Sequence, residues 1–185
     1  MGVGAFLRYA RDAFFAKPTP ERQLIKLARQ HSVRRVVELG IGSLEQTQTL
    51  LKAIVDSAGG AGVSYTAVDP FEQREPGQAP LSLIAAHRTL SVCGVKARLT
   101  PGDPEHSLAT VANSLSDTDL VVLPLGIGER SGSPAWFYLP RMCHPGTLVV
   151  EPTPRAEEPD TWTVWPLADV QRQARQAASG WRAAA

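Results

Sequence analysis

The stretch Glu38-Leu39-Gly40-Ile41-Gly42-Ser43-Leu44, ELGIGSL, follows a basic and β-branched run, Arg34-Arg35-Val36-Val37, and opens a segment with apolar residues at helical spacing. A strand, a glycine turn and a helix in that order build a ligand cradle in many α/β proteins. Gly40 and Gly42 let the backbone turn sharply and approach a ligand without a Cβ in the way. Ser43 and Gln46 form an S-x-x-Q capping box, so the helix begins at Leu44 with its free N–H groups toward the loop. A dinucleotide loop, G-x-G-x-x-G, would carry a third glycine at position 45, where Glu45 places an anion beside the expected pyrophosphate. The next acidic strand end, Asp69, is also late for a dinucleotide fold: 69 − 40 = 29 residues after the first glycine, where about 20 is usual.

Outward from this turn the chain alternates. Strands are expected at 35–40, 63–69, 96–103, 119–125 and 146–152, with helices at 44–57, from about 81 to 94, at 104–115, and through SPAWFYLPRM at 133–142. A Pro/Gly-rich loop fills 70–80. The strand runs are nearly continuous in Val and Leu, the pattern of strands covered on both faces. The alternation therefore predicts an α/β, Rossmann-like, doubly wound and mostly parallel sheet with helices on both faces. Two helices precede the core, one at 4–16 and one begun by Thr19 as N-cap and Pro20 at the first helical position. Beyond residue 152 only one strand, 161–165, and a last helix from about 167 are expected, which makes the C-terminal edge of the sheet short. The chain divides as a single domain into an N-terminal helical cap (1–31), a core (33–152) and a C-terminal extension (153–185).

Composition narrows the function. With 185 residues the chain suits one sizeable core. Nineteen Lys and Arg against eighteen Asp and Glu give a net charge of +1, which invites neither nucleic acid nor an anionic membrane. Apolar runs fall short of the ~20 residues that span a bilayer. Cys93 and Cys143 lack metal-type spacing and read as reduced thiols, and the chain reads as cytoplasmic.

Three acids stand at successive strand ends: Glu38 on the first, Asp69 on the second and Asp103 on the third. Asp69 is placed to accept both hydroxyls of a ribose. Asp103 is suited either to an exocyclic adenine amine or to capping the helix that follows Pro104. His31, His87, His106 and His144 read as surface or loop residues rather than bases, and Glu129 and Arg130 as loop charges near a substrate entrance.

Over residues 33–152 the chain resembles the class I S-adenosylmethionine-dependent methyltransferases. VVELGIGS is similar to their first motif, AVDPF to their acidic second-strand end, GVKARLTPGD to their third-strand segment, and RMCHPGTLVVEP to the turn into the fifth strand. The resemblance implies S-adenosylmethionine as cofactor. Glu38 would face its methionine amino group, and Gly40 and Gly42 the methionine moiety, with Ser43 also among the cofactor-binding residues. Asp69 would hold the ribose, Phe71 would stack on adenine and Asp103 would meet the adenine edge. The spacing is nearest the catechol O-methyltransferase-like branch, whose metal-binding carboxylates lie at the ends of strands four and five. Pro124 and Glu151-Pro152 stand there instead, so the expected transfer is metal-independent, with no metal ligands and a small-molecule acceptor. The motifs name no catalytic residue, acceptor atom or oligomeric state. The alternative is a catalytically degenerate binding or scaffold protein on the same fold.

Overall fold

A computed structural model describes residues 19–60, 62–154 and 161–183, with side chains to Ser179. The helix expected at 4–16 lies outside the described residues.

The described chain starts with α1 (Pro20–Gln30), capped as its sequence requires: the Thr19 hydroxyl accepts the Arg22 N–H and Pro20 occupies the first turn. Then follow β1 (Arg35–Leu39), α2 (Leu44–Ser57), β2 (Ser64–Asp69), α3 (Leu83–Ser91), β3 (Lys96–Pro101), the single-turn α4 (Leu108–Val111), β4 (Thr118–Val122), α5 (Pro134–Met142), β5 (Cys143–Thr153), β6 (Thr161–Trp165) and α6 (Leu167–Ala183). The sheet order is β3-β2-β1-β4-β5-β6. Every pair is parallel except β5 with β6, which run antiparallel with Glu151 opposite Thr163. The fold class is the one expected, and the single strand beyond β5 closes its C-terminal edge.

Alternation along the strands makes two cores. Val36, Tyr65, Ala67, Leu120, Val122, Leu148 and Val150 face one side, packed with Leu24, Leu51, Ile54, Ala86 and Leu90 from α1, α2 and α3. Val37, Leu39, Val68, Val121, Leu123 and Val149 face the other, against Leu108, Trp136, Leu139, Met142, Val170 and Ala177 from α4, α5 and α6. Burial of both faces is what lets these strands dispense with polar alternation.

Two element boundaries differ from expectation. The helix predicted over 104–115 is reduced to turns, α4 and a 3-10 turn at Ala112–Ser114. Asp103 Oδ1 accepts the N–H groups of both Glu105 and His106, as an N-cap does, yet residues 104–107 form turns and regular helix starts only at Leu108. Strand β5 begins at Cys143 rather than near 146, because Cys143 pairs with Thr118 across a register irregularity in β4. At the opposite end of the sheet from the glycine turn, Asp119 Oδ2 accepts the N–H groups of Arg34 and Arg35 while its Oδ1 meets His144 Nε2 at 3.1 Å. His144 is thus a half-buried strand tie.

The chain passes β1, β2 and β3 in one direction and returns beyond β1 to β4. The reversal leaves a crevice outside the carboxyl ends of β1 and β4, where open α/β sheets bind ligands.

Candidate functional site

The turn after β1 forms the floor of that crevice. Gly40 adopts φ +75°, a left-handed value that glycine reaches without strain, and a Cβ there would lie 3.5 Å from Pro104. Gly42 needs no such freedom; a Cβ on it would meet no atom within 4 Å. Gly42 lines a cavity of about 730 Å³, ample for a nucleoside-sized ligand. Ser43 caps α2 through the Gln46 N–H as its spacing predicts. Of the seven residues expected to bind cofactor, the cavity brings together Glu38, Gly40, Gly42, Ser43, Asp69 and Asp103.

Phe71 is the exception. Asp69 Oδ1 accepts the Phe71 N–H at 2.7 Å and holds that residue at φ +50°. The ring is 1 % exposed in the core beside α3 and does not line the cavity. The expectation that it stacks on an adenine is corrected accordingly: the left-handed turn points the side chain inward.

Glu38 ends β1 with its carboxyl at the cavity and 7 % of the residue exposed. The Tyr65 hydroxyl donates to its Oε2 at 2.7 Å, and the Thr47 hydroxyl lies 3.1 and 3.0 Å from its two oxygens. Burial pushes its pKa up from 4.5 to about 7, with the two hydroxyls partly opposing the shift. Burial and the neighbouring Glu38 hold the Tyr65 phenol protonated well above its usual range. Sequence reading missed Tyr65 and Thr47, although Thr47 lies one residue past the capping glutamine, on the inward face of α2.

Asp69 is 1 % exposed and fully engaged. Besides Phe71 it accepts the Ile41 N–H at 2.8 Å and two N–H groups of Arg74, Nε at 3.0 Å and Nη2 at 2.7 Å. Arg74, also missed, lies in the Pro/Gly-rich loop that sequence gave no role. Asp103 is exposed; besides the two backbone N–H groups its Oδ1 meets His106 Nδ1 at 2.7 Å. Those hydrogen bonds lower the Asp103 pKa against the opposing effect of burial, the largest single influence on it.

The other wall is largely apolar. Pro124, Leu125, Pro152 and Trp162 line it from the β4, β5 and β6 side, and Pro20, Leu24 and Ile25 of α1 close over it. Gln23 Oε1 accepts the Thr161 hydroxyl at 2.8 Å and the Trp162 N–H at 3.3 Å, while Trp162 Nε1 donates to the Pro20 carbonyl at 2.9 Å. Helix α1 is thereby clasped to β6 across the cavity.

Glu151 lies off the wall. Its Oε1 accepts the Gly128 N–H at 3.1 Å and its Oε2 accepts Trp165 Nε1–H at 3.0 Å. Gly128 is tightly enclosed there, since a Cβ would fall 2.5 Å from the Trp165 ring. Among the described residues no histidine or cysteine lines the cavity, and Glu129 and Arg130 do not reach it. Arg130 instead pairs with Glu105, which also accepts the Ser133 hydroxyl. No helix among the described residues is long and apolar enough to cross a membrane.

No family model matches the chain, and no curated protein matches it. Solved structures do. The O-methyltransferase TomG from Streptomyces achromogenes, involved in tomaymycin synthesis and determined in complex with SAM, is 16% identical. Its match covers 97% of this chain and 78% of TomG, with a TM-score of 0.52. A methyltransferase from Geobacter sulfurreducens is 20% identical over 80% of this chain and 70% of its own, with a TM-score of 0.47. Cofactor-bound Rv0187 from MTB is 19% identical over 95% and 75%, with a TM-score of 0.49. At these identities the likeness is one of fold, and only the match to TomG passes a TM-score of 0.5 among these three.

Proposed function

We propose that the chain is a single-domain, cytoplasmic methyltransferase that uses S-adenosylmethionine on a small-molecule acceptor, without a metal ion. One observation carries this reading: the glycine turn, the buried Glu38, Asp69 at the end of β2 and Asp103 after β3 line one cavity. The likeness of fold to TomG, a SAM-bound O-methyltransferase, supports it.

When bound, the cofactor supplies an activated methyl group on a sulfonium. Gly40, Gly42 and Ser43 would receive its methionine portion, with Glu38 toward the amino group, Asp69 toward the ribose and Asp103 toward the adenine edge. The acceptor would lie against Pro124, Leu125, Pro152 and Trp162, under α1. These apolar side chains exclude water and orient the acceptor, and in-line positioning supplies much of the rate of such a transfer. Proline offers no side-chain oxygen, and both oxygens of Glu151 already accept N–H groups. A divalent ion, which takes several oxygen ligands, finds no set of them at this wall among the described residues.

Calorimetry with S-adenosylhomocysteine and with NAD tests the reading. Saturable 1:1 binding of the first and none of the second is expected. An ammonium group beside Glu38 favours its charged form, so binding at pH 7 should release roughly half a proton, read as a buffer-dependent enthalpy. Binding of NAD alone would overturn the assignment. Once an acceptor is found, turnover that a chelator abolishes and Mg²⁺ restores would overturn metal independence.

A further inference from the structure

The Asp69 carboxylate reaches the cavity with every acceptor position occupied. Oδ1 takes the N–H of Phe71 and Nε–H of Arg74; Oδ2 takes the N–H of Ile41 and Nη2–H of Arg74. An ionised carboxylate offers about four lone-pair sites, so a vicinal diol brought to these oxygens finds no place. Two of the four donors are backbone groups, fixed by the glycine turn and by the left-handed turn at Phe71. The other two belong to one side chain. Arg74 also donates from Nη2 to the Ile41 carbonyl and from Nη1 to the Ala79 carbonyl, at 2.6 and 2.8 Å. Its guanidinium thus joins the end of β2, the turn after β1 and the loop before α3.

We propose that Arg74 is a latch on the ribose end of the cavity: its guanidinium holds the place of a nucleoside diol, and a nucleoside engages Asp69 only after the guanidinium has swung out. The inference rests on the proposed cofactor. It makes Arg74 a specificity-determining residue, because leaving costs two charge-assisted hydrogen bonds at Asp69. A ligand with two adjacent hydroxyls replaces both bonds; a deoxyribose replaces one. The apparent affinity falls by the fraction of molecules in which the latch is open, so the wild-type protein binds more weakly than its cavity alone allows.

The test compares S-adenosylhomocysteine binding by calorimetry in the wild type and in Arg74→Ala, and follows the Arg74 Nε–H resonance of the wild type through the same titration. Binding to Arg74→Ala at least about tenfold tighter, with loss of hydrogen-exchange protection at Nε–H in the saturated wild type, is the expected result. Equal or weaker binding by a folded Arg74→Ala overturns the latch, as does an Arg74 Nε–H that stays protected at saturation. The resonance measurement needs no variant, so it decides the matter even if Arg74→Ala fails to fold. Binding to neither protein overturns the latch together with the cofactor; binding to a wild type whose Arg74 stays protected overturns the latch alone.

Discussion

Glu38 keeps a proton that an exposed glutamate would give up. Below about pH 4.5 the folded and unfolded chains both hold it; from there to about 7 the unfolded chain loses it while the folded chain does not. Stability from this group is therefore complete below 4.5, falls as pH rises through 7, and levels off above, a loss of roughly 3 kcal/mol for a shift of this size. Glu38→Gln removes that titration. Urea midpoints of the two proteins between pH 4.5 and 8 should converge or cross as the wild type weakens, and parallel profiles would count against a raised Glu38 pKa. Asp69 is tied differently, by four N–H donors, two of them from Arg74. Asp69→Ala would leave the Arg74 guanidinium, 9 % exposed, without its counter-charge. Breaking a buried pair in this way costs about 3–5 kcal/mol, so the variant should lose much of its unfolding free energy in urea before any ligand is added. A change below 1 kcal/mol would show that Arg74 easily finds water. At this scale sequence reading found the groups whose roles follow from position on their own element: strand-end acids, cap and glycines. It missed Arg74, Tyr65 and Thr47, whose partners lie across the sheet or the loop, and it misplaced the Phe71 ring because a positive φ at a non-glycine residue leaves no mark in composition.

Elements were legible wherever a single periodicity ran for a full strand or several helical turns. The five parallel strands and α2 are of this kind, and β6 was visible as a short β-branched and aromatic run. The segment 104–115 carried helical spacing too, but its regular helix shrinks to one turn, Leu108–Val111, and the Asp103 cap before it does not explain that. The clasp between α1 and β6 was not legible, since it joins residues 138 apart. It matters to function because α1 closes the apolar wall of the cavity. Gln23→Ala deletes the acceptor of two hydrogen bonds, each worth about 0.5–1.5 kcal/mol. Hydrogen exchange at Trp162 N–H should quicken at least tenfold in this variant while amides of β1 and β4 keep their protection. Unchanged exchange at Trp162 would mean that packing alone holds α1 in place.

At the scale of the whole molecule the formal net charge is only +1. Its fold orders the strands so that the glycine turn, the two buried acids and an apolar wall meet at one crevice, and only the parallel pairing of β1 with both β2 and β4 makes that possible. The central claim is that the space beside Gly42 belongs to the cofactor. Gly42 lacks a positive φ and a Cβ there touches nothing, so Gly42→Val should fold with a stability within about 0.5 kcal/mol of the wild type, as exposed substitutions usually do. Gly42 nevertheless lines the cavity, and a branched side chain adds bulk there. Titration of S-adenosylhomocysteine into wild type and Gly42→Val, with urea unfolding of both, measures the claim directly. Saturable binding to the wild type and at least a hundredfold loss, about 2.7 kcal/mol, in an equally stable Gly42→Val are expected. Equal affinity in the two proteins would contradict it.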